Sequence, residues 1–127
     1  MEAKLVIELP WPDHGLSPNA RLYWARRSRL VKKHRLIGRD AAIHAMPCRL
    51  SIANEGRIFY EIQYAPPDRR ARDEDNFEAS LKSYRDGIAD ALQVNDKRFS
   101  RAGVLDKLDP VKGGRVWLMF TIPLKQE

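Results

Sequence analysis

The chain has 127 residues, 43% of them hydrophobic and 31% charged, with a formal net charge of +6. This is the size of one ordinary domain with enough apolar residues for a real core, and the positive balance points to an anionic partner, most commonly nucleic acid. No apolar run approaches the roughly 20 residues that span a bilayer, and the single cysteine, Cys48, cannot form an internal disulfide. A membrane role has no support, and with no signal-like segment after Met1 the expected compartment is a reducing cytoplasm.

Lys4 to Leu9 reads as a first strand, stopped by Pro10 and Pro12, which cannot donate to a sheet ladder. A loop follows to Pro18. Ser17, Pro18 and Asn19 resemble a helix start, so a long polar helix is expected from Asn19 to about Met46, with Leu22, Leu30, Leu36, Ile37 and Ile43 as core positions and Gly38 as a place where it divides. Leu50 to Ala53 and Ile58 to Ala65 carry strand-forming residues on either side of the turn signal Asn54-Glu55-Gly56. From Asn76 to Leu92 the period is helical, because Phe77, Leu81, Tyr84, Ile88 and Leu92 recur every three or four residues, and Asp75 is the expected N-cap. Val104 to Leu108 and Val116 to Ile122 read as two strands of a closing hairpin, turned by Asp109-Pro110 and Gly113-Gly114. The expected fold is a single α+β domain over residues 1–127, a mixed or antiparallel sheet with two main helices and a terminal hairpin.

The densest chemistry lies in Asp68-Arg69-Arg70-Ala71-Arg72 followed by Asp73-Glu74-Asp75-Asn76. Crowded carboxylates repel one another, and a divalent cation offsets them more completely than distant arginines do. In extended chain Asp73 and Asp75 point to one side, because strand side chains alternate, while Glu74 faces solvent. Magnesium takes one or two protein carboxylates together with water and substrate phosphate, which suits this pair, and Asn76 can orient a carboxylate or a phosphate. The bland reading is an N-cap beside solvated charge. Lys82 lies seven residues after Asp75, within about 20° of it around a helix, so it faces the same way and can reach a phosphate. Its alternative is an exposed helix pair with Glu78 and Asp86. A third acid comes from Asp96, just past the helix, or from Asp90 within it.

These residues resemble a known family. The pattern at 68–76, the helix ending Asp86-Gly87-Ile88-Ala89-Asp90-Ala91-Leu92, Val94-Asn95-Asp96 and Lys112-Gly113-Gly114-Arg115 are similar to the RusA family of crossover junction endodeoxyribonucleases. Leu9-Pro10-Trp11-Pro12 and Ser17-Pro18-Asn19 are similar to that family's opening. The resemblance implies a magnesium-dependent homodimer, manganese being a substitute, encoded by a bacterium or prophage, that nicks a four-way DNA junction symmetrically in recombination and repair. It implies Asp73, Asp75 and Asp96 as the metal-binding acids and Lys82 as the catalytic lysine. Some relatives carry that lysine where this chain has Ala79, others one turn later, as here.

Between Gly15 and Arg39 there are eight arginines and lysines and no acid. Arg26, Arg27, Arg29, Lys32 and Lys33 are expected to neutralise phosphates along one helix, and Arg69, Arg70 and Arg72, with Asn76, to grip the backbone beside the metal site. Trp24 is either core or, with Tyr23, a surface on which unpaired bases stack. His14, His34 and His44 lack metal-ligand spacing and read as surface or helix-packing residues. No phosphate-cradling glycine loop or nucleophilic triad is present. The expected activity is hydrolysis of branched DNA. The alternatives are a noncatalytic branched-DNA-binding or phage-associated protein, and a nuclease preferring flaps or forks.

Overall fold

The computed structural model describes residues 1–126. Alternation dictates the sheet. In β1 (Glu2–Pro10) Leu5, Ile7 and Leu9 point inward, and in β2 (Ile58–Ala65) Ile58, Tyr60, Ile62 and Tyr64 do so. In β5 (Arg115–Pro123) the inward residues are Val116, Leu118, Phe120 and Ile122. β5 lies between β1 and β2 and is antiparallel to both. The far edge of β2 carries two short parallel strands in succession, β3 (Phe99–Arg101) and β4 (Asp106–Lys107). The sheet is mixed and the fold α+β, with two main helical segments packed on the sheet.

This order corrects the expected terminal hairpin. Gly113-Gly114 does turn the chain, but the strand before the turn does not pair with the one after it; β4 joins β2 instead. The reason is burial. β5 presents four fully buried apolar side chains and needs a neighbour on each side, whereas Val104, at 85% exposure, has nothing to bury. The strand expected at Leu50–Ala53 is likewise reduced to one bridge, Ile52 to Leu124, since its neighbours Arg49, Ser51 and Asn54 are polar.

The long helix α1 begins at Trp24, not Asn19, and runs to Ala45. The residues expected to start it form a turn, and Asp13 caps a short 3-10 segment at His14–Leu16 by accepting from the Gly15 N–H at 2.8 Å. The buried residues of α1 are His34, Gly38 and Ala42, whereas Leu36 and Ile43, two of the expected core positions, stay half exposed. Gly38 does not divide the helix. It forms the crossing with α3 (Lys82–Leu92), where a Cβ on Gly38 would collide with the Tyr84 carbonyl oxygen, and one on Gly87 with the Arg35 carbonyl oxygen. Two backbones this close leave no room for side chains between them, so small residues carry the seam and the larger apolar ones turn away. His34 is satisfied at this seam: its Nδ1–H donates to the Leu30 carbonyl at 2.9 Å and its Nε2 accepts from the Asp13 N–H at 3.2 Å. No helix of the described residues is long and apolar enough to cross a membrane.

Phe77, Leu81, Tyr84, Ile88 and Leu92 are all buried, as their spacing predicts. The helix they define is interrupted at Leu81, giving α2 (Glu74–Ser80) before α3. Tyr84 reaches through the core and donates its hydroxyl to the Pro10 carbonyl at 2.9 Å; burial pushes its pKa well up.

Candidate active site beside the helix crossing

The N-cap of α2 is Asp73, two residues earlier than the expected Asp75. Its Oδ1 accepts from the Asn76 N–H at 3.0 Å, one of the donors that every helix start leaves without an internal partner. Asp75 therefore stands in the first helical turn rather than in extended chain. The expected alternation of Asp73 and Asp75 does not occur, because the chain is already helical at Glu74. Asp75 is exposed, and with Ala79, Lys82 and Asp86 it continues at helical spacing along the outer side of α2 and α3.

Before α2 the basic run folds onto itself. Asp68 accepts from the Arg70 backbone N–H at 3.0 Å, from Arg70 Nη2 at 3.1 Å and from Arg72 Nη2 at 2.7 Å. The Arg70 bonds, with those from Arg72, hold its carboxyl well below the usual carboxylate range. Arg72 also donates to the Asp68 and Arg70 carbonyls, and its guanidinium lies 5.4 Å above the Trp11 ring, which in turn stacks on Phe77. Expected to grip DNA, Arg72 is three-quarters buried and fixes the loop. Arg70 is exposed but paired with Asp68, and Arg69 is exposed.

A second charged cluster is assembled from three elements. Lys82 Nζ lies 3.3 Å from Asp86 Oδ1 and 3.7 Å from Asp96 Oδ2. Across the groove Arg35, from α1, makes a two-pronged contact with Asp90: Nε to Oδ2 at 2.7 Å and Nη2 to Oδ1 at 2.9 Å. This hydrogen-bonded pair lowers the Asp90 pKa. The chain is brought back to the groove by Gln93, left-handed at φ 57°, and by Asn95, whose side chain accepts from the Lys97 N–H at 2.9 Å and so starts the 3-10 turn that presents Asp96. The groove encloses about 320 Å³. Of the expected partners of Lys82, Asp86 is present and Glu78 is not, since Glu78 pairs with Arg101 at 3.1 Å.

Of the four catalytic residues read from the sequence, Lys82 and Asp96 are brought together, Asp73 is committed to a helix cap, and Asp75 lies farther along the α2 surface. Among the described residues no three His, Cys, Asp or Glu side chains gather closely enough to share one ion. Asp86 and Asp96 nevertheless share one cation, the Lys82 ammonium, and two oxygen-donor carboxylates are what magnesium asks of a protein when water and phosphate complete its shell. The donor set fits a hard divalent ion. Arg35 is not legible in the sequence as part of this site, because it lies 55 residues from Asp90. Asp86 is legible only as a helix pair.

On α1, Arg26, Arg29, Lys32 and Lys33 are exposed, and among the described residues none pairs with a carboxylate. Arg27 differs: it donates to the Gly15 carbonyl at 2.9 Å and secures the loop before the helix. Trp24 is not core. It is 72% exposed and lies 5.6 Å from the ring of Tyr23, which is 70% exposed.

No family model matches the chain. Over 93 residues, 73% of this chain, it is 48% identical to an uncharacterized protein of Xylella fastidiosa (strain Temecula1 / ATCC 700964). The match spans 61% of that protein's length.

Proposed function

We propose that the chain is a magnesium-dependent endodeoxyribonuclease acting on branched DNA, with the four-way junction as substrate and the groove beside the α1–α3 crossing as its site. The observation that carries this reading is the Lys82 ammonium between the Asp86 and Asp96 carboxylates, at the end of the exposed stripe that begins with Asp75. Asp86 and Asp96 are the residues that would hold the ion, with Asp75 facing the approaching phosphate side of the same stripe. The bound ion would supply Lewis-acid polarisation of the phosphate and of the attacking water. Lys82, whose ammonium lies beside both acids, would stabilise negative charge on the phosphate. Arg35 holds Asp90 and keeps the groove wall in register. Asp73 positions Asp75 through the α2 cap. The unpaired cations of α1 neutralise DNA phosphates without reading sequence, and Tyr23 and Trp24 offer flat faces to bases exposed at a branch.

The test is a magnesium titration on a synthetic mobile four-way junction. Paired symmetric nicks are expected, lost in Asp96→Asn and Asp86→Asn with junction binding retained. Lys82→Ala is expected to slow cleavage by about 100-fold, the scale of losing one charge-stabilising group. Binding without nicks at any magnesium concentration overturns the catalytic reading and leaves a junction-binding protein; nicks confined to flaps change the substrate.

A further inference from the structure

Ile43, half exposed on α1, opens onto a second groove. This one encloses about 1020 Å³, about three times the volume at Lys82, and lies where α1 and α3 both end against residues 48–54. Its floor is aliphatic. Ile43, Met46, Leu50, Ile52, Leu92 and Val94 line it, and Met46, Leu50, Ile52 and Val94 are only partly buried where they pack on the core. Three cations, Arg49, Arg98 and Lys125, line it as well, and no aspartate or glutamate does. Among the described residues none of the three pairs with a carboxylate. Arg49 donates to the neutral Gln93 side chain at 2.9 Å, and Arg98 Nε donates to the Gly56 carbonyl at 2.9 Å. Arg98 Nη2 is shielded from solvent and has no hydrogen-bond partner among the described residues. A buried donor left unpaired costs free energy, which an acceptor brought by a ligand recovers.

From these facts we infer that this groove docks a short acidic segment of a partner protein, its bulky aliphatic side chains on the floor and its carboxylates on Arg49, Arg98 and Lys125. Exposed apolar surface rimmed by polar groups marks an interaction site. The volume is at the top of the range for small-ligand sites, so the groove takes a segment with several side chains. Its uncompensated cations select an acidic partner, as arginine clusters do for acidic motifs. Nucleic acid is also anionic but fits less well. No aromatic ring lines the groove, so bases have nothing there to stack on. α1 and α3 both end at it, and the last carbonyls of a helix lack internal partners. A peptide brings N–H donors to those carbonyls, whereas a phosphodiester brings only more negative charge. The exposed Tyr23 and Trp24 lie at the other end of α1, on the order of 30 Å away. Val94 and Asn95 line both this groove and the one at Lys82, so an occupant sits beside Asp96. The inference does not rest on the DNA-cleaving reading, because docking is measured without DNA or magnesium.

Cys48, the single cysteine, is exposed on the groove wall, so its rate of reaction with a thiol reagent reports occupancy. Random peptides displayed on phage are selected on the full chain, with Ile43→Asp, checked for folding by circular dichroism, as the counter-target. Expected are sequences that combine acidic and bulky aliphatic residues, bind the full chain at micromolar concentration and slow Cys48 modification at least about tenfold. Arg49→Glu and Lys125→Glu, both at exposed positions, each weaken such a peptide at least about tenfold, and replacing its acids by amides does the same. If Ile43→Asp does not fold, the two charge reversals and the amide peptide carry the test. Selected peptides that are not acidic, or acidic ones that leave Cys48 unprotected or bind the reversed variants equally well, overturn the inference. Protection of Cys48 by a single-stranded oligonucleotide and not by peptide assigns the groove to nucleic acid and overturns it too. Protection that rises with the concentration of the chain alone assigns the groove to a second copy, with the same consequence.

Discussion

Two charged clusters sit near one another in the chain and are built in opposite ways. The Asp68–Arg70–Arg72 cluster is local: its members are within four residues, and they close on one another and on Trp11. The Arg35–Lys82–Asp86–Asp90–Asp96 cluster is assembled by the fold, from two helices and a 3-10 turn. The local cluster leaves little for a ligand, since its most buried cation, Arg72, is already bonded to Asp68 and Arg70 and laid over Trp11. The assembled one keeps an ammonium shared between two carboxylates at the groove surface. Density of charge in sequence therefore marks a structural clasp, and the exchangeable charges lie where distant segments meet.

If that distinction holds, the assembled cluster depends on the helix crossing and the local one does not. Gly87→Val forces apart backbones that already touch, and a loss of about 4 kcal/mol or outright failure to fold is expected in urea denaturation. Near-native stability in that variant breaks the account of the seam. Arg72→Ala is expected to cost about 2 kcal/mol, through its carboxylate bond and its stacking on Trp11, and to leave the Lys82 groove intact. A variant that binds DNA poorly but is fully stable assigns Arg72 to the ligand instead. Asp73→Ala should destabilise by about 1 kcal/mol through loss of the α2 cap, with Asp73→Asn close to wild type because asparagine caps equally well. If the two variants are equally stable but both fail to cleave, the carboxylate charge of Asp73 matters for chemistry and the cap does not.

The smallest effect is one of pH. The Asp90 pKa is lowered in the folded chain by Arg35, so its share of stability is present above the unfolded value of about 3.9 and is lost as pH falls through the folded value. Both side chains are partly exposed, which limits that share to about 0.5 kcal/mol. Asp90→Asn should remove it at pH 7 and matter progressively less as the pH is lowered below the unfolded value, read from paired thermal melts.

What can be read from the sequence follows from the range of the forces involved. β1, β2, β5 and the Phe77–Leu92 stripe have periods that burial enforces residue by residue, and each is present. Local pattern places α1 too early, since Ser17, Pro18 and Asn19 are turn formers as well as helix starters, and it misassigns the core face because Leu36 and Ile43 look like core while Gly38 looks like a break. Only the position of α3 makes a glycine the contact residue. The hairpin fails for a similar reason: Gly113-Gly114 specifies a turn, but whether the strands it joins become neighbours is decided by what β5 must bury. In the groove, Lys82 is legible from helical spacing, and Asp96 as an acid just past the helix end. The bond from Arg35 to Asp90 spans 55 residues and has no local signal.

The Gly87 seam also sets how the groove can move. Arg35 contributes its carbonyl to the backbone contact with Gly87 and its guanidinium to Asp90, so separation of the two helices and widening of the groove are one motion, not two. A ligand clamped between Lys82, Asp96 and the α1 cations would then tighten a seam it never touches. Slower amide hydrogen exchange along the middle of α3, on the side away from the ligand, would be its signature.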